Sequence, residues 1–284
     1  MGGVRDGSRA PGGRFALECQ SMSKKRHIRC PAFGMPNPHQ VLTLSHDFPR
    51  GSEAVPSHSH DWHQLIYASQ GVMTITTWEG SWTVPAHRAV WVPGDTAHSV
   101  LISGAVSMRT LYLWPGLSKL LSSTCRVMGV SPLLRELILR AAQRGGLDRR
   151  VRWEARVIAM IRDELQAIPS PALHLPEPKD LRILRIVKLL HDRPADRRPL
   201  EELSRDAGGS KRTIERIFRN ETGMSFGKWR QQLRLNHSLR LLAAGEPVTS
   251  VAFDSGYDSP SAFVAAFRRT FGRTPGTYFR APDA

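Results

Sequence analysis

The octapeptide SHSHDWHQ, residues 57–64, places three imidazoles and an amide within eight positions. On an extended backbone successive side chains alternate, so His58 and His60 project from one face and His63 from the other. Two imidazoles spaced in this way suit a divalent transition ion. They equally suit a metal-free polar pocket that hydrogen-bonds a small effector, or a purely structural cluster. Residue types alone leave all three open. A second chemically capable set lies near the C terminus, in SKRTIERIFRN (210–220) and SPSAFVAAFRRTF (259–271). Each begins with a serine suited to cap a helix and carries arginines, whose planar fork matches guanine edges and phosphates.

The elements that must hold these groups differ along the chain. From Gln40 to Trp114 the pattern is β-like, with HQLIYA, VMTITTW, AVWVP and VSMRTLYLW separated by turn residues such as Gly71, Gly80, Pro85 and Gly94. Strands at this spacing without helical period predict a small barrel or sandwich. Between 116 and 168, SPLLRELILRAAQR and VRWEARVIAMIRDELQAI repeat apolar residues at three- and four-residue steps and predict two amphipathic helices. Leu133, Leu134, Leu137 and Ile138 form the apolar stripe of the first. That stripe is expected either to make a dimer interface or to cover the strands. Four prolines in 169–178 predict a stiff linker over 169–179, and everything to about Phe279 is helical by period.

The last third repeats itself. At an offset of 49 residues, Ser210 falls on Ser259, Ile214 on Phe263, Phe218 on Phe267, Gly223 on Gly272 and Trp229 on Tyr278. Each copy is a short helix, a glycine-containing turn and a serine-capped second helix, which is the helix-turn-helix layout, over about 200–221 and 248–271. Charge agrees with a polyanion partner. Residues 178–284 hold 20 Lys/Arg against 12 Asp/Glu, whereas 31–177 hold 13 against 11. The three scattered cysteines form no metal pair and fit a reducing cytosol. No apolar run approaches the ~18 residues of a membrane span. Residues 1–40, rich in Gly, Arg, Ser and Pro, predict a disordered basic N terminus without a secretory signal.

Residues 180–281 resemble the AraC/XylS family of bacterial transcription regulators. The resemblance is carried by RLNHSLRLLAAGEPVTSVAFDSGYDSPSAFVAAFRRTFGRTPGTYFR, with His237–Ser238 standing where the linking helix usually carries apolar residues. It implies two helix-turn-helix units joined by a long helix, on double-stranded DNA. Ser210, Lys211, Arg212, Thr213, Glu215 and Arg216 are then the expected base-reading set of the first unit. In the second unit Ser259, Ser261, Ala262 and Ala265 offer weak readout, with Arg268, Arg269 and Arg273 on phosphate. The β-rich region resembles a cupin sensor barrel. His58, His60, Gln64 and Gly71 follow the first cupin motif with Gln64 in the acid's place, and Pro93, Gly94 and His98 follow a tightened second motif. An uncharged amide among three imidazoles favours weak Zn, Ni or Cu over Fe or Mn.

The expected fold is therefore α+β and multidomain: a cupin-like barrel over 41–115, a helical connector over 116–168 and an all-α DNA-binding domain. The expected function is a cytoplasmic transcription regulator controlled by a small effector or a divalent metal. It is a candidate homodimer, and it would meet RNA polymerase if it activates. A metal-dependent cupin enzyme fused to a DNA-binding domain is the catalytic alternative, disfavoured because no second acid or base accompanies the triad. A constitutive DNA binder whose barrel only dimerises is the third reading.

Overall fold

The computed structural model describes residues 28–29, 40–52, 54–86, 88–117, 122–165 and 173–279. Most of the expected N-terminal tail, Cys19 and Cys30 included, lies outside them. Among the described residues ten strands make one sheet: β1 (Ile28–Arg29), β2 (Val41–Phe48), β3 (Val55–Ser59), β4 (His63–Thr77), β5 (Gly80–Pro85), β6 (Arg88–Val92), β7 (His98–Leu113), β8 (Arg126–Gly129), β9 (Gly146–Leu147) and β10 (His174–Pro176). The antiparallel pair β4–β7 is its spine. HQLIYA and VMTITTW, expected as separate strands, are one strand of 15 residues. It keeps its course through irregular pairing between Ala68 and Val72, where Gly71 adopts φ +81°. Each long strand takes different partners along its length, β4 pairing with β6 and then β5, and β7 with β3 and then β2.

Among the described residues the sheet does not close. Its hydrogen-bonded path runs β1-β3-β7-β4-β5-β10, with β2, β6, β8 and β9 as side branches, so the expected closed barrel is corrected to an open, branched sheet. Alternation along the strands separates two apolar faces. Leu65, Tyr67, Ala89, Trp91, Leu111 and Leu113 pack under α1 (Pro132–Arg144) and α2 (Arg152–Glu164). Leu134, Leu137 and Ile138 are buried in that contact, and of the expected dimer stripe only Leu133 is exposed. Periodicity shows that a helix has an apolar face but not what it faces, and here the face covers the sheet.

The opposite face, with Ile66, Ala68, Met73, Ile75, Val90 and Val92, joins an apolar cluster that includes residues of the C-terminal helices. Those helices are α3 (Leu181–Asp192), α4 (Leu200–Asp206), α5 (Lys211–Thr222), α6 (Phe226–Ala243), α7 (Val248–Asp254), α8 (Pro260–Phe271) and α9 (Pro275–Tyr278). Leu235 and Leu239 of α6, Val251 of α7, and Phe263 and Phe267 of α8 belong to that cluster. Gly104, at φ +77°, lies so close to the end of α6 that a Cβ there would stand 2.4 Å from the Ala243 carbonyl oxygen.

The described end of the proline-rich segment, expected as a stiff linker, is fastened at both sides. His174–Pro176 pair antiparallel with β5, the Trp82 and His174 rings stack at 4.7 Å, and Leu175 is buried in the core of the first C-terminal helices. The Trp229 indole of α6 donates to the Pro176 carbonyl at 3.1 Å. Proline composition signals stiffness but not where a stiff segment is fastened.

The chain enters α3 through Asp180, whose carboxylate accepts from the Arg182 backbone N–H at 2.9 Å and pairs with the Arg182 guanidinium at 2.7 Å. The Arg182 side chain is the main reason its pKa falls from 3.8 to about 2. A depressed carboxylate stabilises the fold above its ordinary pKa and loses that contribution as pH falls through the folded value. Asp180→Ala is therefore expected to cost about 0.5–2 kcal/mol near neutrality. The gap from wild type should shrink in urea titrations as pH drops towards about 2.

Candidate DNA interface and histidine pocket

The two copies of the 49-residue repeat fold alike. Ser210 Oγ accepts from the Thr213 backbone N–H at 3.3 Å, and Ser259 Oγ from that of Ala262 at 3.2 Å. Both helices end on a left-handed glycine, Gly223 at φ +68° and Gly272 at φ +78°. Ile214 and Phe218 in one copy and Phe263 and Phe267 in the other are fully buried. The inward anchors thus fix which side of α5 and α8 faces solvent.

On α5 that side carries Arg212, Glu215, Arg216, Arg219 and Asn220, all exposed. They line an open groove of about 560 Å³ shared with Ser225 and Gly227. Three expected readers are engaged within the protein. Lys211 is ion-paired with Glu201. Ser210 is spent on the cap, and its hydroxyl and that of Thr213 lie 2.9 Å apart. Arg212, Glu215 and Arg216 are the expected set's members best placed for a ligand. On α8, Ser261, Ala262, Ala265, Arg268 and Arg269 are exposed, as is Arg273 beyond it.

The expected pocket residues come together by strand register. His58 of β3 stands opposite His98 of β7, and Gln64 of β4 opposite Tyr112 of β7. Ligand atoms of His58, His60 and His98 lie within 4.8 Å of one another. Each ring has its Nδ1 on a backbone carbonyl: His58 on Pro56 at 2.8 Å, His60 on Trp62 at 2.6 Å and His98 on Thr96 at 2.9 Å. Such contacts fix the tautomer and turn Nε2 towards the centre. His63 opens β4 after the bend at 61–62 and stays outside the cluster, accepting the Gly94 N–H at its Nδ1 and packing on Trp91.

Gln64 links the histidines to β7 through its amide. Gln64 Nε2 donates to Thr110 Oγ1 at 3.1 Å and to the Tyr112 hydroxyl at 3.2 Å, which directs Oε1 at His60 Nε2, 2.9 Å away. Burial holds the His60 imidazole below its ordinary pKa, so at neutral pH it carries one proton. With that proton on Nδ1, which faces the Trp62 carbonyl at 2.6 Å, Nε2 presents a lone pair to the Gln64 amide. Turning the amide over lets its NH2 donate to that ring nitrogen and leaves its oxygen facing the Thr110 and Tyr112 hydroxyls.

Residues 203–281 match the helix-turn-helix domain family. Over 245 residues the chain is 34% identical to the HTH-type transcriptional regulator NimR of Escherichia coli K12, covering 86% of this chain and 89% of that protein. The chain belongs to the AraC/XylS family of transcription regulators. The HTH-type transcriptional regulator RipA of Corynebacterium glutamicum is 37% identical over 111 residues, 39% of this chain and 32% of that one. The solved DNA-binding domain of AdpA, in complex with a target DNA, is 31% identical with a TM-score of 0.33, covering 35% of this chain and 90% of that one.

Family membership makes this chain a DNA-binding transcription regulator and sets the catalytic alternative aside. Among the described residues no helix is long and apolar enough to cross a membrane. The sequence reading of the regulator's pocket missed Thr110 and Tyr112. They lie 46 and 48 residues from Gln64 and carry no motif of their own. Only their alternate positions on a β-like run could have suggested a shared face.

Proposed function

We propose that this regulator reads DNA with two helix-turn-helix units, α4–α5 and α7–α8, and that a divalent transition ion in the histidine pocket controls how it does so. The reading treats residues 41–115 as the sensor, 116–168 as its helical cover and 180–281 as the DNA-binding domain. On the DNA side it is supported by two equally capped helices with exposed arginines at either end of α6. That helix has 18 residues, a length of about 27 Å, comparable to one turn of duplex. Arg212, Glu215 and Arg216 would read base edges, and Arg268, Arg269 and Arg273 would hold phosphates.

On the sensor side one observation carries the proposal, the convergence of His58, His60 and His98, whose ligand atoms lie within 4.8 Å of one another. A cation held by His58, His60 and His98, with the Gln64 side chain beside them, uses every ring whose Nδ1 is held by a backbone carbonyl. With no carboxylate in the set, Zn, Ni or Cu are the fitting ions. The ion's task is binding, not turnover, since a regulator needs only different stability in two states. A tag-free preparation is expected to hold about one transition ion per chain, and removing the ion with a chelator should change duplex affinity. Substoichiometric metal whose removal leaves affinity unchanged would overturn the sensor assignment while leaving the DNA assignment intact.

A further inference from the structure

Besides α6, a ring of arginines joins the two helical units. Arg230 and Arg234 lie one turn apart on α6, both half withdrawn from solvent, and both reach the loop between α3 and α4. Arg234 Nη2 donates to the Asp196 carbonyl at 2.8 Å and its Nε to that of Pro194 at 3.3 Å, while Arg230 Nη2 donates to the Arg198 carbonyl at 2.7 Å. The loop is stiffened from within, because the Asp196 carboxylate takes the Arg198 guanidinium at 2.7 Å and the Arg198 backbone N–H at 2.9 Å.

That same loop crosses to the second unit. Arg197 Nη2 donates to the Tyr257 carbonyl at 3.0 Å, and Nη1 pairs with the Asp258 carboxylate at 2.6 Å. Tyr257 and Asp258 form the turn between α7 and α8. The turn's Gly256, at φ +78°, lies directly on Arg234, so that a Cβ there would stand 2.9 Å from the guanidinium. Arg234 is thus packed between the loop of the first unit and the turn of the second.

We propose that Arg197, Arg230 and Arg234 are positioning residues that fix the distance and rotation between α5 and α8, and thereby the number of base pairs required between the two half-sites. This rests on the reading that both units enter DNA. The physical reason is rotational. Adding one base pair moves a half-site by ~3.4 Å and turns it by roughly 35° about the duplex axis. A helix pair joined only through α6 can follow such a change by bending or by fraying a turn. A pair also clasped by charge-assisted bonds to backbone carbonyls cannot follow without breaking them.

The test selects binding sites from a pool of random duplexes of about thirty base pairs, using the full-length protein. Wild type is expected to return two motifs at one fixed separation. Arg197→Ala and Asp258→Ala should each return the same two motifs with separations spread over two or more values. For wild type, a one-base-pair insertion in the selected site should cost about tenfold or more in affinity, and for the variants about threefold or less. The two substitutions change net charge in opposite directions, so a shared loosening reports geometry rather than phosphate attraction. Arg234→Lys keeps the charge but loses the two-carbonyl fork, and should loosen spacing too. Variants that keep the wild-type spacing and insertion penalty would overturn the clasp. A wild-type selection yielding one motif would instead overturn the two-unit reading.

Discussion

Raising monovalent salt from about 50 mM to about 200 mM is expected to weaken binding of the intact regulator to its selected duplex by roughly 10³-fold or more. Each neutralised phosphate releases condensed counterions, and a site with six to ten such contacts has a log–log slope of about −5 to −9. The exposed arginines of α5, α8 and the following turn supply candidates for those contacts. Lys211 is not among them, since it is tied to Glu201. Substitutions should divide the two kinds of contact. Arg216→Ala is expected to cost about 1–3 kcal/mol, some 5–150-fold, and to relax preference at one position of the first half-site. Arg268→Ala should weaken all duplexes alike and reduce the salt slope by about 1. Titrations at several salt concentrations, on selected and scrambled duplexes, check both. A salt-independent affinity would remove the basic residues from the mechanism, and equal losses on scrambled DNA for Arg216→Ala would move it to the phosphate class.

What could be read from the chain beforehand was what repeats or alternates. The 49-residue offset located both caps, both left-handed glycines and the paired anchors Ile214/Phe263 and Phe218/Phe267, because a helix-turn-helix writes its geometry into local residue types. His58 and His60 do lie together with His63 apart, but β3 ends at Ser59 and His63 opens β4 beyond a bend, so alternation along one strand is not what places them. Failures arose where the deciding contact is distant or made by backbone. Leu134, Leu137 and Ile138 were read as an apolar face with sheet cover and dimer contact both left open, and only tertiary placement decides for the sheet. His174–Pro176 became a strand because an edge of β5 was available to it. Thr110 and Tyr112 entered the pocket through register alone. The arginine clasp uses the carbonyls of Pro194, Asp196, Arg198 and Tyr257, acceptors that every residue has, so no side-chain pattern announces it.

The contact between sheet and helices makes the second large prediction. Gly104 holds φ +77°, a conformation costly for any residue with a Cβ and worst for β-branched ones. The atom such a residue would meet, the Ala243 carbonyl oxygen, belongs to the end of α6 and cannot swing aside as a side-chain tip could. Gly104→Val is therefore expected to destabilise through two terms, about 1–3 kcal/mol of backbone strain and about 1–3 kcal/mol of overpacking. Its larger consequence is for cooperativity. Wild type buries Leu235, Leu239, Val251, Phe263 and Phe267 in the same apolar cluster as Ile66, Met73 and Val92, so the sheet and the last helices are expected to unfold in one calorimetric transition. Forcing α6 off Gly104 opens that cluster at its seam, and the variant should melt in two steps, one from each side. The same separation should abolish the effect of metal removal on duplex affinity, because coupling between sites needs a contact that differs between states. Two transitions already present in wild type, or metal coupling that survives in a variant melting in two steps, would mean that the signal travels by the β10 strap and Trp229 instead.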